Sequence, residues 1–138
     1  MTNKIFRETK QRNAIKRAIE RANRPVGPKE ILELACDEVP NLGIATVYRN
    51  IKTMVEKGEL DPVELPGQAP RYQPPADKKP HLFICEKTDR VFTIDPKVGD
   101  FKPALPEGFV LDRFQIICFG EFNGKVQVKP LVVEAANA

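Results

Sequence analysis

Residues Gly27 to Gly58 read GPKEILELACDEVPNLGIATVYRNIKTMVEKG. Two stretches with helical spacing of apolar residues flank a segment marked by Pro40 and Gly43. Pro28 suits the first turn of a helix, where its missing N–H is not needed. Ile31, Leu32, Leu34 and Ala35 give that helix an apolar side, and Pro40 to Gly43 forms the turn. In the next helix Ile44, Val47, Ile51, Met54 and Val55 make one apolar stripe, with Ala45, Arg49, Lys52 and Glu56 roughly opposite and Gly58 as the stop. A short turn between two amphipathic helices, the second carrying Tyr48 and Arg49 early, is the pattern of a helix-turn-helix reader of DNA.

Working outward, Thr9 is a plausible N-cap for an earlier helix that runs to Ala22 and places Ala14, Ile15, Ala18, Ile19 and Ala22 on one side. Arg24 to Gly27 interrupts it. Beyond Leu60 the period changes: Val63 and Leu65 alternate with polar residues, Pro66 and Gly67 mark a turn, and Arg71, Tyr72 and Gln73 form the return strand. Three helices and a hairpin predict a winged helix-turn-helix domain over residues 1–75. A stiff, polar linker follows at 76–80. Residues 81–138 carry strand-like runs at His81 to Cys85, Val91 to Ile94, Phe109 to Phe119 and Lys125 to Val133. Between them PKVGDFKPALPEG holds too much Pro and Gly for a long helix, although one turn fits. About 60 residues of mostly sheet would be marginal alone, so this part reads as a small α/β dimerisation domain that covers its apolar face with a second copy. The expected fold class is α+β.

Charge supports the same division. Residues 1–29 hold nine Lys or Arg against two Glu, residues 30–75 hold four against eight acidic groups, and the rest balances at nine and nine. A basic N-terminal segment beside the motif is the electrostatic footprint of a backbone-binding DNA module. No apolar run is long enough for a membrane span and no signal-peptide pattern opens the chain, which predicts a cytoplasmic protein with no membrane partner. Cys36, Cys85 and Cys118 are odd in number and widely spaced, which disfavours both a disulfide framework and a complete CxxC zinc site. An enzyme has little to build on: one His, no Ser/His/Asp arrangement, no phosphate-cradling Gly loop and no HExxH.

The stretches R.T.QR at Arg7 to Arg12, GP.EIL at Gly27 to Leu32, GIATVYRNIK at Gly43 to Lys52, VE.G.L at Val55 to Leu60 and PRY at Pro70 to Tyr72 resemble the ferric uptake regulator (Fur) family of bacterial transcription factors. Order and spacing fit over the first 73 residues. ICEKTDRVF and GFVLDRFQIICFG echo family positions in the remainder. The resemblance implies a homodimeric regulator, commonly a repressor, of double-stranded DNA. It places Tyr48 and Arg49 in the major groove and Arg7 at the adjacent minor groove. Thr46 and Asn50 become phosphate or base partners, and Arg12, Lys52 and Arg71 phosphate contacts. The chemistry agrees, since Arg pairs with guanine in bidentate fashion and an aromatic ring packs on a thymine methyl.

Family members usually bind zinc and iron or manganese through a His-rich stretch and CxxC pairs, and here the pattern breaks. Cys85-Glu86-Lys87-Thr88 stands for the first CxxC, Phe114 for a later His, Phe122 and Lys125 for the second Cys pair, Gln73 for a Glu and Pro25 for a His. His81 and Cys85 are the residual donors, with Asp77, Glu86 and Asp89 near them in sequence. Structural sites need three or four donors, so the expectation is no cofactor and a regulator that does not require the usual ions. The alternatives from other classes are a winged-helix protein-interaction or architectural module, and a redox or unusual-metal sensor on the same fold. The basic N-terminus and intact TVYR segment favour the DNA reader.

Overall fold

A computed structural model describes residues 2–95, 97 and 103–131. The chain divides into two units, residues 1–77 together with 123–138, and residues 78–122. In order, the elements of the first unit are α1 (Thr2–Ala22), α2 (Pro28–Ala35), α3 (Ile44–Glu56), β1 (Asp61–Leu65) and β2 (Gln68–Gln73).

The first helix carries the core. Ala14, Ile15, Ala18, Ile19 and Ala22 repeat at three- and four-residue intervals and are fully buried, so one face of α1 is apolar and partly small. Ile31 and Ala35 of α2, Val39 and Leu42 of the turn, and Val47, Ile51 and Met54 of α3 close over it, with Val26 and Leu60 completing the cluster. Burying one such Ile side chain is worth roughly 1.5–3 kcal/mol. Helix α1 begins at Thr2 rather than Thr9. Thr9 lies mid-helix and does not cap it, because the following pattern continues backward without a breaker. Residues 3–8 of this extension are all exposed, Ile5 and Phe6 included.

The hairpin pairs β1 and β2 antiparallel, from Asp61 opposite Gln73 to Leu65 opposite Gln68. Gly67 takes φ +69° at the tip, a left-handed conformation that glycine adopts without steric cost. Val26, ahead of α2, extends this sheet by a bridge to Tyr72, each amide donating to the other's carbonyl at 3.0 and 2.8 Å. The wing is thereby anchored to the start of the helix-turn-helix.

Two charged pairs brace the helices. Arg17 of α1 grips Glu38, in the turn after α2, through Nε and Nη2 at 2.7 and 2.5 Å. Buried Arg24 pairs with Glu30 in the first turn of α2. The Arg17 guanidinium holds the Glu38 carboxyl below its ordinary value of 4.5, with Arg21 and Lys10 adding attraction and burial opposing it.

The second unit holds β3 (His81–Cys85), β4 (Val91–Ile94) and β5 (Ile117–Gly120) in the order β4-β3-β5, with β4 antiparallel and β5 parallel to β3. Leu82, Ile84, Cys85 and Val91 are buried. Two expected strands differ. Within Phe109 to Phe119 only the end is strand, and residues 109–116 have no partner strand among the described residues. Lys125 to Leu131 is in no strand, and it groups with the first unit rather than the second. β-Propensity alone does not make a strand; a neighbouring edge must accept its hydrogen bonds. Val132 and Val133, also expected in a strand, lie outside the described residues, as does most of the Pro/Gly-rich segment from 96 to 102.

Two outcomes follow for the helical core. Ile19→Ala should lower its unfolding free energy by about 2–5 kcal/mol in urea titrations, the range for deleting a buried Ile side chain. Glu38 has a lowered pKa when folded, so its contribution is present above about pH 4.5 and is lost as pH falls through the folded value. Glu38→Gln should therefore cost about 1 kcal/mol at pH 7 and progressively less as pH falls through the folded value, giving a flatter acid limb than the parent.

Candidate nucleic-acid interface

Helix α3 is braced from behind and bare in front. Val47, Ile51 and Met54 are buried, whereas Tyr48, Arg49 and Lys52 are exposed, Tyr48 by 55%. A large aromatic that could have joined the core thus stands in solvent beside an arginine at the amino-terminal end of the helix. Gly43 is the N-cap and offers no side-chain cap. The first turn therefore presents free N–H groups, which favour anionic oxygen.

Local hydrogen bonds order this face. Arg49 Nη2 donates to Thr46 Oγ1 at 3.1 Å, Thr53 Oγ1 donates to the Arg49 carbonyl at 3.0 Å, and Asn50 Nδ2 donates back to the Thr46 carbonyl at 2.8 Å. Thr46 and Asn50, expected as phosphate or base partners, are engaged within the helix here. In this arrangement Thr46 directs Arg49. Ile44, expected on the inner stripe, is 38% exposed and shares the outer side with Tyr48 one turn later. Ile44 is the first residue of α3, so there is no preceding helical turn for its side chain to lie over. The i, i+4 spacing to Tyr48 was the available signal for its outward position.

In the wing, Arg71 is half-buried. Its Nη1 donates to the Ala69 carbonyl at 2.8 Å and its Nη2 to Gln68 Oε1 at 3.1 Å. Its aliphatic stem crosses Gly27, where an added Cβ would come within 3.3 Å of Arg71 Cδ. Gln68, absent from the sequence expectations, thus helps hold this cation at the wing. Arg7 and Arg12 are exposed on α1, along with Lys4, Lys10 and Lys16. Arg49 with Lys52 on α3, Arg71 on β2, and Arg7 with Arg12 on α1 therefore occupy three elements of one unit.

The residual metal donors do not converge. His81 and Cys85 are the two ends of β3, about 13 Å apart along a strand, far beyond the spacing at which two ligands share one ion. His81 Nδ1 already accepts the Ile116 N–H at 2.9 Å, and its ring lies 6.0 Å from that of Phe114. Cys85 Sγ accepts the Phe122 N–H at 3.5 Å. Hydrogen bonds from the Thr88 side chain and from the Phe122, Thr88 and Lys87 backbone lower its thiol from 9.0 to about 7, against the opposing effect of burial. Phe122 packs on Phe92 with ring centroids 4.7 Å apart. Among the described residues no three His, Cys, Asp or Glu side chains form a group that could hold a metal ion. The residues present do not fit the zinc and iron or manganese sites that the resemblance implies.

The sequence matches the model of the ferric uptake regulator family over residues 3–118. The chain belongs to that family. Curated proteins provide no match. Among solved structures, a zinc-bound manganese uptake regulator is similar with a TM-score of 0.64 at 20% identity, covering 80% of this chain and 86% of that one. The Vibrio cholerae ferric uptake regulator gives 0.60 at 13% identity, covering 81% and 88%. The Helicobacter pylori ferric uptake regulator, whose structure reveals three functional metal binding sites, gives 0.57 at 18% identity, covering 83% and 78%. These likenesses establish the α+β fold shared with the regulators. No helix among the described residues is long and apolar enough to cross a membrane.

The two exposed cations of α3 should separate by function. Arg49→Ala is expected to reduce discrimination between a selected duplex and a random one by about 1–3 kcal/mol. Lys52→Ala should weaken both duplexes alike and reduce the salt slope by about one. Binding titrations across a salt series read both effects, and equal losses on the two duplexes for Arg49→Ala contradict base reading.

Proposed function

We propose that this chain is a sequence-specific, homodimeric DNA-binding transcriptional regulator, acting as a repressor, whose operator binding does not depend on the metals its relatives use. The observation that carries the reading is the exposed Tyr48 and Arg49 at the amino-terminal end of a helix whose opposite face buries Val47, Ile51 and Met54. The side chains assigned to base contact are Tyr48 and Arg49; those assigned to phosphate are Arg12, Lys52 and Arg71, with Arg7 toward the minor groove. Major-groove docking of a helix end, flanked by backbone contacts from other elements, uses all of them.

Dimerisation through the second unit is supported by its unfinished edge. Strand β5 pairs with β3 alone among the described residues, and the unpaired segment ahead of it exposes Phe109 by 67% and Val110 by 94%. A second copy would cover both, and two-fold symmetry would present two α3 helices to a pseudo-palindrome. Independence from metal is supported by the separation of His81 from Cys85 and by the Phe92–Phe122 and His81–Phe114 contacts, which pack apolar rings near both residual donors. The second unit is then organised by side-chain packing and hydrogen bonds, with no ligand field required.

Selection of bound genomic fragments by the purified protein, with and without chelator, tests the reading together with elemental analysis. One enriched motif under both conditions and substoichiometric metal are expected. No enrichment overturns DNA reading, and stoichiometric metal with binding lost in chelator overturns metal independence. Val110→Asp should convert a dimer to a monomer in sedimentation and weaken binding to the full palindrome at least tenfold, an order of magnitude set by losing the linked second half-site.

A further inference from the structure

After Phe122 the chain leaves the second unit and rejoins the first. Its return is anchored on α1 by a reciprocal pair of hydrogen bonds. The Lys129 N–H donates to the Arg21 carbonyl at 2.9 Å, and Arg21 Nε donates to the Lys129 carbonyl at 3.0 Å. The Arg21 carbonyl lies in the last turn of α1, where helix geometry provides no intrahelical N–H partner. The backbone of Lys129 therefore supplies a bond that the helix cannot make for itself.

The same guanidinium continues to α2. Arg21 Nη1 reaches the Leu34 carbonyl at 3.4 Å, and both terminal nitrogens reach Asp37 Oδ2 at 3.4 Å. The Arg21 side chain is only 15% exposed, so these weak contacts sit in a partly dry setting where they hold the planar group in one orientation. Arg17, Glu20 and Arg21 on α1, with Lys129, Pro130 and Leu131 on the returning segment, wall a groove of about 510 Å³. Pro130 restricts the backbone directly after the anchoring residue, which lowers the entropy lost on docking.

We propose that residues 123–131 form a strap of the winged-helix unit, docked on α1 through the backbone of Lys129 and held by Arg21, which links that docking to the end of α2. The chain then runs between its units twice, after Asp77 and again after Phe122, so the winged helix is tethered at both ends and not by one linker. Anything that lifts the strap frees the Arg21 carbonyl and one side of its guanidinium, loosening the junction from which the turn to α3 departs. The contact uses main-chain atoms of Lys129, so the identity of its side chain is immaterial. It needs neither a duplex nor an ion and stands apart from the DNA reading.

Amide hydrogen exchange on the full chain tests it. The Lys129 amide should exchange more slowly than an unprotected peptide, and exchange at the unprotected rate overturns the strap. A chain ending at Val128, or Lys129→Pro, should speed exchange in the last turn of α1 and over Leu34 to Glu38 by about tenfold. Lys129→Ala should match the parent, and an acceleration equal to that of Lys129→Pro contradicts the main-chain contact. In an Arg21→Met background, which keeps the backbone carbonyl and loses the guanidinium, removing residues 129–138 should have a smaller effect than in the parent; an undiminished effect means the Arg21 guanidinium does not hold the segment. The amides of β3 and β4 serve as the internal reference and should be unchanged throughout. Unaltered exchange at the α1 and α2 ends in the shortened chain also overturns the proposal, whatever the outcome with DNA.

Discussion

Closure of α2 and α3 over the small-and-branched face of α1 is the constraint on which the rest depends. Ala14, Ala18 and Ala22 let neighbouring backbone approach, while Ile15 and Ile19 fill the space that approach leaves. Helix α3 must turn Val47, Ile51 and Met54 toward this surface to remove them from water. Once it does, the helical period leaves Tyr48, Arg49 and Lys52 outside. The buried stripe and the exposed Tyr48, Arg49 and Lys52 are the two sides of a single helix rotation.

Charge is distributed to suit that rotation. Three of the eight acidic residues of the middle segment brace: Glu30 holds Arg24, Glu38 holds Arg17, and Asp37 meets Arg21. These pairs neutralise basic groups near the helix junctions and leave the exposed cations of α1, α3 and the wing to set the outward field. Arg49 is ordered by Thr46 and Arg71 by Gln68 and Ala69, so two long side chains have part of their entropy already spent before any ligand arrives.

The second unit solves a different problem. A small sheet needs either extra bonds or extra apolar area to be stable. In this chain His81 is tied to the Ile116 amide, Cys85 receives backbone and side-chain donors, and Phe92 and Phe122 stack beside them. Hydrogen bonds thus engage His81 Nδ1 and Cys85 Sγ. Those donors shift the thiol of Cys85 toward thiolate, and the residue itself is buried.

Periodicity and punctuation determined the three helices, their turn and the wing, because each of those elements is local: Pro28 opens α2, Gly58 and Gly67 follow α3 and turn the hairpin, and the spacing of apolar residues names the buried side. The family was legible for the same reason, in GIATVYRNIK. Only the tertiary structure decided what depends on a distant partner. Ile44, first in α3, is partly exposed, Thr46 and Asn50 make hydrogen bonds within the helix, and Gln68 supports Arg71. Strand-like composition at 109–116 and 125–131 found no adjoining strand among the described residues, since a strand is completed by hydrogen bonds from elsewhere and no pattern within it can supply them. The return of Lys129 to Arg21, across 108 residues, lay beyond any local signal because it is made by main-chain atoms that every residue carries alike.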